Sequence, residues 1–178
     1  MLDKLYITPR QWMRILRWSL YFLLVVAVMM LQTVLVGNRT VFGVKLDLIP
    51  LVLFCVCLRE GPERGGVFCL LSSLFLALSG ADQGALLIFL LTVLPILASS
   101  LMRKIFVMHF LSTLVTCGIL LFLTQSVCFV FRLVNGATAG SLYFTRLLPM
   151  VVVSLLFQPA IYWLVKSIEK IGDPYETA

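Results

Sequence analysis

The chain has 178 residues, 61% of them hydrophobic and 12% charged, with a mean hydropathy of +1.08. A soluble domain carries about twice that share of charge, so the surroundings of most of this chain are lipid. The net charge of +6, from 14 basic and 8 acidic residues, is read as Lys- and Arg-rich cytoplasmic loops of a membrane protein; no nucleic-acid partner is expected.

Lipid satisfies no backbone N–H or C=O group, so a spanning chain is helical or a closed barrel. The apolar runs here are long and unalternating, which points to helices. The expected fold is all-α: one polytopic membrane domain over residues 1–178, with a basic amphipathic segment at 1–17, a bundle of six transmembrane helices over 18–165 and a cytoplasmic tail at 166–178. The first apolar run lacks a small-x-small cleavage site at its end and is read as an uncleaved anchor.

In chain order, Arg10, Arg14 and Arg17 form one stripe, with Trp12, Met13, Ile15 and Leu16 on the other side. This is an interfacial helix or a basic extension of the first span. Helix 1 is expected from about Trp18 to Val36. Helix 2 ends at Leu58. Asp47 followed by Pro50 reads as an N-cap and a first-turn proline. A helix over 48–58 is about 16 Å long, well short of a hydrocarbon core of about 30 Å. It starts earlier, near Val41, or residues 38–46 enter as shielded irregular backbone; the favoured reading is a short helix with a buried approach. Asn38–Arg39–Thr40 is a formal glycosylation sequon too close to the membrane to carry weight.

REGPER (59–64) then places Arg59, Glu60, Glu63 and Arg64 in a cytoplasmic turn, with Gly61–Pro62 at the bend and Gly65–Gly66 letting helix 3 start close to its neighbour. Because these charges sum to zero, they exceed what topology needs. They form a self-satisfied turn or a docking knob for a cytoplasmic partner. Helix 3 is expected over about Gly65–Ser79. Gly66, Cys69, Ser73, Ala77 and Gly80 fall on one narrow face, a small-residue ribbon suited to close helix packing. Helix 4 covers about Ala85–Met102, with Pro95 as a kink. Helix 5 covers Ile105–Phe131 and must tilt or protrude, being about 40 Å long. Its side bearing His109, Thr113, Thr116, Cys117 and Thr124 is interhelical glue or a polar pocket. A turn-rich loop (132–146) holds Gly136 and Gly140 and leads to helix 6, about Leu147–Val165, with Pro149 and Gln158–Pro159.

Placing both termini in the cytoplasm puts Lys4, Arg10, Arg14, Arg17, Arg59, Arg64, Arg103, Lys104, Lys166 and Lys170 inside, and leaves Arg39, Lys45, Arg132 and Arg146 outside. This is the orientation that the positive-inside rule favours.

Catalytic signatures are missing. The chain has no HExxH, P-loop or dinucleotide fingerprint, and ALSG (77–80) lacks the first glycine of an intramembrane serine-protease GxSG. No acid lies between Asp82 and Glu169. His109 is the sole histidine, so no multi-histidine metal site forms. The five cysteines, at 55, 57, 69, 117 and 128, sit in apolar runs and read as buried small hydrophobes. No catalytic residue, metal or cofactor is expected, and the chain is not expected to be an enzyme.

LQTVLV (31–36) followed by FGVKLDLIPLVLFCVCLREGPERGGVFCLLSSLFLALSG (42–80) resembles MreD, the rod-shape-determining membrane protein family of bacteria. The shared features are an LQ-containing end to helix 1, an Asp-containing approach to a short helix 2, a Gly-rich cytoplasmic turn and a glycine-led helix 3. The resemblance covers roughly residues 18–104; beyond them only hydropathy and helix count agree. Ser73 replaces the second glycine of the family's helix 3 pattern, and Ala77 stands where its acid belongs, so no role of that acid carries over. The resemblance implies a non-enzymatic subunit of the cell-elongation machinery in the bacterial plasma membrane. It implies association with an MreC-like protein, and with it an influence on RodA, its class B penicillin-binding partner and, indirectly, MreB. The family's fold is likened to the substrate-binding subunits of energy-coupling-factor vitamin transporters. On this reading Arg59, Glu60, Glu63 and Arg64 serve the cytoplasmic face, and Arg132 and Arg146 the outer one. The alternative is a solute-binding subunit of a vitamin-type transporter. Six helices and the polar stripe of His109, Thr113, Thr116 and Thr124 allow it, but helix 1 has a lone Ala27 where those subunits carry Ala-x-x-x-Ala.

Overall fold

The computed structural model describes residues 9–36, 47–79, 85–105, 110–136 and 147–172. They form six helices and, among the described residues, no strand: α1 Pro9–Val36, α2 Ile49–Glu60, α3 Pro62–Leu78, α4 Ala85–Ile105, α5 Phe110–Val134 and α6 Leu148–Gly172. Stretches of α1 (Gln11–Val34), α4 (Ala85–Arg103), α5 (Phe110–Val134) and α6 (Leu148–Lys170) are long and apolar enough to cross a membrane, which marks a membrane protein. At about 1.5 Å per residue, α2 is about 18 Å long and α3 about 26 Å.

The short helix occupies the centre. Every residue of α2 from Ile49 to Leu58 is buried, and the other five helices all pack against it. Helix α3 lies against α2 and α4, and α1 lies against α2 and α6. Lipid supplies no hydrophobic drive for helices to associate, so close van der Waals fit and interhelical hydrogen bonds hold such a bundle. Glycine provides that fit where α3 meets α2. A Cβ on Gly65 would stand 2.5 Å from the Cys57 Cα, closer than two non-bonded carbons approach, so the two backbones are in direct contact. A Cβ on Gly66 would meet the Ile96 side chain of α4 at 2.8 Å.

Helix boundaries differ from the sequence reading in ways that matter. Helix α1 starts at Pro9 rather than Trp18, so the arginine-bearing segment continues the first span as one helix. Helix α3 starts at Pro62, which leaves Gly61 alone between α2 and α3. Gly61 has φ +99°, a conformation that costs other residues. Its N–H donates to the Cys57 carbonyl at 3.0 Å, and its own carbonyl accepts from the Gly65 N–H at 2.9 Å. The expected REGPER turn is therefore a one-residue hinge, with Arg59 and Glu60 ending one helix and Glu63 and Arg64 opening the next. Helix α4 continues through buried Pro95 to Ile105, and α5 starts at Phe110 instead of Ile105. Helix α6 runs to Gly172, seven residues past Val165. Ile161, Val165 and Ile168 continue one apolar stripe, which carries the helix into what reads as a tail. The expected irregular approach at 38–46, and Gly80, His109 and Arg146, lie outside the described residues.

Candidate functional site

The two ends of α2 hold the polar chemistry of the bundle. At its C-terminal end, Glu60 and Arg59 point to opposite neighbours. The Glu60 carboxylate accepts from the Arg17 guanidinium of α1 and, at 2.8 Å, from the Tyr21 hydroxyl. Its side chain is 3% exposed and that of Arg17 14%. Arg59 reaches α6, where its Nε donates to Glu169 Oε2 at 2.8 Å and its Nη2 reaches the same oxygen. Its Nη1 donates to the Tyr162 hydroxyl at 3.4 Å, and its guanidinium carbon lies 5.5 Å from that ring's centre. Phe110 of α5 stacks edge-on against Tyr162 at 4.9 Å. Arg103 of α4 donates to the Arg59 carbonyl at 3.4 Å, one of the carbonyls that a helix end leaves without an intrahelical partner. Together these contacts form a charged collar that ties α2 to α1, α4 and α6.

The four charges of REGPER thus have two different fates. The side chains of Arg59 and Glu60 are largely buried and paired within the chain, although with α6 and α1 rather than with each other. Glu63 and Arg64 are exposed and form no ion pair or side-chain hydrogen bond among the described residues. They stand at one end of a groove of about 550 Å³ between α1 and α3. Trp18, Tyr21 and Phe68 cluster at its base with ring centres 5.7 to 6.1 Å apart. Phe22 and Phe75 bridge the two helices farther along, at 5.3 Å.

At the other end of α2 lies a group that sequence reasoning assigned wrongly. Asp47 does not cap the helix: the N-cap position is Leu48, with no side-chain cap bond. The Asp47 carboxylate instead accepts from Gln125 Nε2 of α5 at 2.5 Å and from the Gln32 side chain of α1. Its backbone N–H donates to Ser154 Oγ of α6 at 3.4 Å. Three helices converge on this acid, as expected where an acid in an apolar bundle seeks donors. Glutamines in otherwise apolar runs were the available sign.

The small-residue face of α3 points inward. Beside Gly66, the Cys69 thiol donates to the Leu53 carbonyl at 3.4 Å, and the Ser73 and Thr92 hydroxyls stand 3.4 Å apart. Ala77 is half-buried. Gly65, outside the expected ribbon, makes the tightest approach. Ser99 of α4 adds a donor to the Cys57 carbonyl at 3.1 Å. Ser72 is 1% exposed, and its hydroxyl has no partner among the described residues.

The polar side of α5 divides among separate neighbours. Thr116 Oγ1 donates to Met102 Sδ of α4 at 3.4 Å. The Thr113 carbonyl accepts from Gln158 Nε2 of α6 at 3.3 Å. Thr124 donates back to its own helix at Leu120, 2.8 Å away. Gln158, noted in sequence only for the proline after it, is 1% exposed and is the polar link between α5 and α6. Arg132 is exposed in the last turn of α5. Among the described residues no three His, Cys, Asp or Glu side chains are grouped to hold a metal ion.

No family model matches this chain, and no curated protein or solved structure matches it.

Proposed function

We propose that this chain is a non-enzymatic membrane scaffold of the bacterial cell-elongation machinery, of the MreD kind. It acts in the plasma membrane by binding an MreC-like protein and positioning RodA with its class B penicillin-binding partner, with MreB reached indirectly. The observation that carries the reading is the arrangement of residues 47–79. A short buried helix is entered through an acid, closed by a single-glycine hinge and backed by a helix whose Gly65 touches it. These are the residues on which the resemblance rests. The arrangement holds a buried centre in place and leaves Glu63 and Arg64 exposed and, among the described residues, unpaired, as a docking element requires.

In this reading all six helices belong to the membrane domain and both termini face the cytoplasm. The collar supports that orientation, because Arg17, Arg59 and Arg103 meet at one end of the bundle and Lys166 lies 5.9 Å from the Tyr162 ring there. Arg132 sits at the far end of α5. The solute-binding alternative gains no support, since the Thr116 hydroxyl is taken by Met102 of α4 and that of Thr124 by the Leu120 carbonyl of its own helix.

The test is capture of the full chain from detergent-solubilised bacterial membranes, with mass spectrometry of what accompanies it. An MreC-like protein is expected, and its amount is expected to fall when Glu63 and Arg64 are exchanged for residues of opposite charge. Capture of a small solute without any wall-synthesis protein would overturn the proposal.

A further inference from the structure

The α1–α3 groove has charge at one end only. Trp18 and Phe22 of α1 and Val67, Phe68 and Leu71 of α3 line its length, and Glu63 and Arg64 stand at its mouth. Positions 64, 67, 68 and 71 lie on one helical face, and the run from Glu63 to Leu71 spans about 12 Å. Spread over that length, 550 Å³ gives an elongated space with a cross-section of about 45 Å². A hydrocarbon chain fits along it. Its mouth carries an acid next to a base, neither paired among the described residues. A ligand matching this pattern has an apolar tail and a head bearing both an anion and a hydrogen-bonding cation.

We infer that the α1–α3 groove binds a zwitterionic phospholipid of the phosphatidylethanolamine class. One acyl chain lies along Val67 and Leu71, the phosphate meets Arg64 and the ammonium donates to Glu63. Arg14, exposed one turn before Trp18, adds positive charge on the α1 side. Arg64 and Arg14 alone would serve any phospholipid, and Glu63 supplies the preference for a head with N–H donors. This inference rests on the membrane reading; because that reading gives Glu63 and Arg64 to a protein partner, Leu71→Trp separates the two, reducing lipid retention while leaving partner capture unchanged.

The test is native mass spectrometry of the delipidated full chain, given phosphatidylethanolamine, phosphatidylcholine or phosphatidylglycerol with identical acyl chains. Phosphatidylethanolamine is expected to be retained best. Glu63→Gln should lower its retention up to about fivefold, to the level of phosphatidylcholine, as for the loss of one exposed ion pair. Arg64→Gln should weaken all three lipids. Leu71→Trp, which fills the groove, should weaken all three, whereas Leu111→Trp on the outer face of α5 should not. Glu63, Arg64 and Leu71 are exposed, so their variants keep the fold, as an unchanged elution volume would verify. Equal or better retention of phosphatidylglycerol, or no loss on Glu63→Gln or Leu71→Trp, would overturn the inference.

Discussion

Replacing Glu60 with Gln tests whether the collar holds α2 in place. The Glu60 side chain is 3% exposed and serves both Arg17 and Tyr21; Arg17 is itself 14% exposed. Removing the negative charge takes the Glu60 carboxylate away from a poorly solvated guanidinium, a change that costs about 3 kcal/mol or more for a buried pair. For a chain of this length, 3 kcal/mol corresponds to about 6–12 °C in Tm. Glu169 offers an internal comparison, because it is 32% exposed and Arg59 keeps its contact with Tyr162 when it is removed. Arg59 is 15% exposed, so Glu169→Gln should cost more than an exposed pair but less than Glu60→Gln, about 1–2 kcal/mol. The pair Arg17→Met with Glu60→Leu removes both charges together and should recover most of the loss. The assay is the temperature at which half of the detergent-purified protein leaves the monodisperse peak on size exclusion. If Glu60→Gln falls no further than Glu63→Gln, at an exposed position, the collar does not lock α2, and the reasoning fails.

Gly65→Ala should destabilise the same assay by about 1–3 kcal/mol, because the added methyl meets α2 backbone. Gly66→Ala should cost less, since the Ile96 side chain can move. Asp47→Asn keeps an acceptor for Gln125 and should be mild, whereas Asp47→Leu strands buried amide donors and should cost about 1–3 kcal/mol. Cys55, Cys57, Cys69 and Cys117 are buried and Cys128 is half-buried. Intact-mass measurement after maleimide treatment of the folded protein should therefore show at most one modification, against five after denaturation; two or more would contradict the packing around α2.

Within the candidate site, the sequence was legible wherever a residue's neighbours are local. The bend at Gly61–Pro62 and the close start of α3 at Gly65–Gly66 follow from backbone freedom and side-chain size. The assignments that needed correction depend on distant residues. Asp47, three before Pro50, reads as a cap because that spacing is locally sensible, yet Gln125, 78 positions away, takes the carboxylate. Glu169 reads as tail because Lys166, Ser167 and Lys170 surround it. Only the continuing stripe of Ile161, Val165 and Ile168 showed that the helix persists as far as Arg59.

Composition and run length by themselves determined that this is a helical membrane chain and roughly where its helices fall, and they left the start of the second open. They did not determine which helix is the centre. Helices α2 and α4 are similarly apolar in sequence, but α2 is buried over ten consecutive residues while Phe89, Leu97 and Leu101 of α4 face outward. In water, apolar periodicity separates an inside from an outside. In lipid both are hydrocarbon, so the pattern loses that information. The tertiary structure decides it through glycine contacts and through pairs such as Arg17–Glu60, 43 positions apart, and Arg59–Glu169, 110 apart.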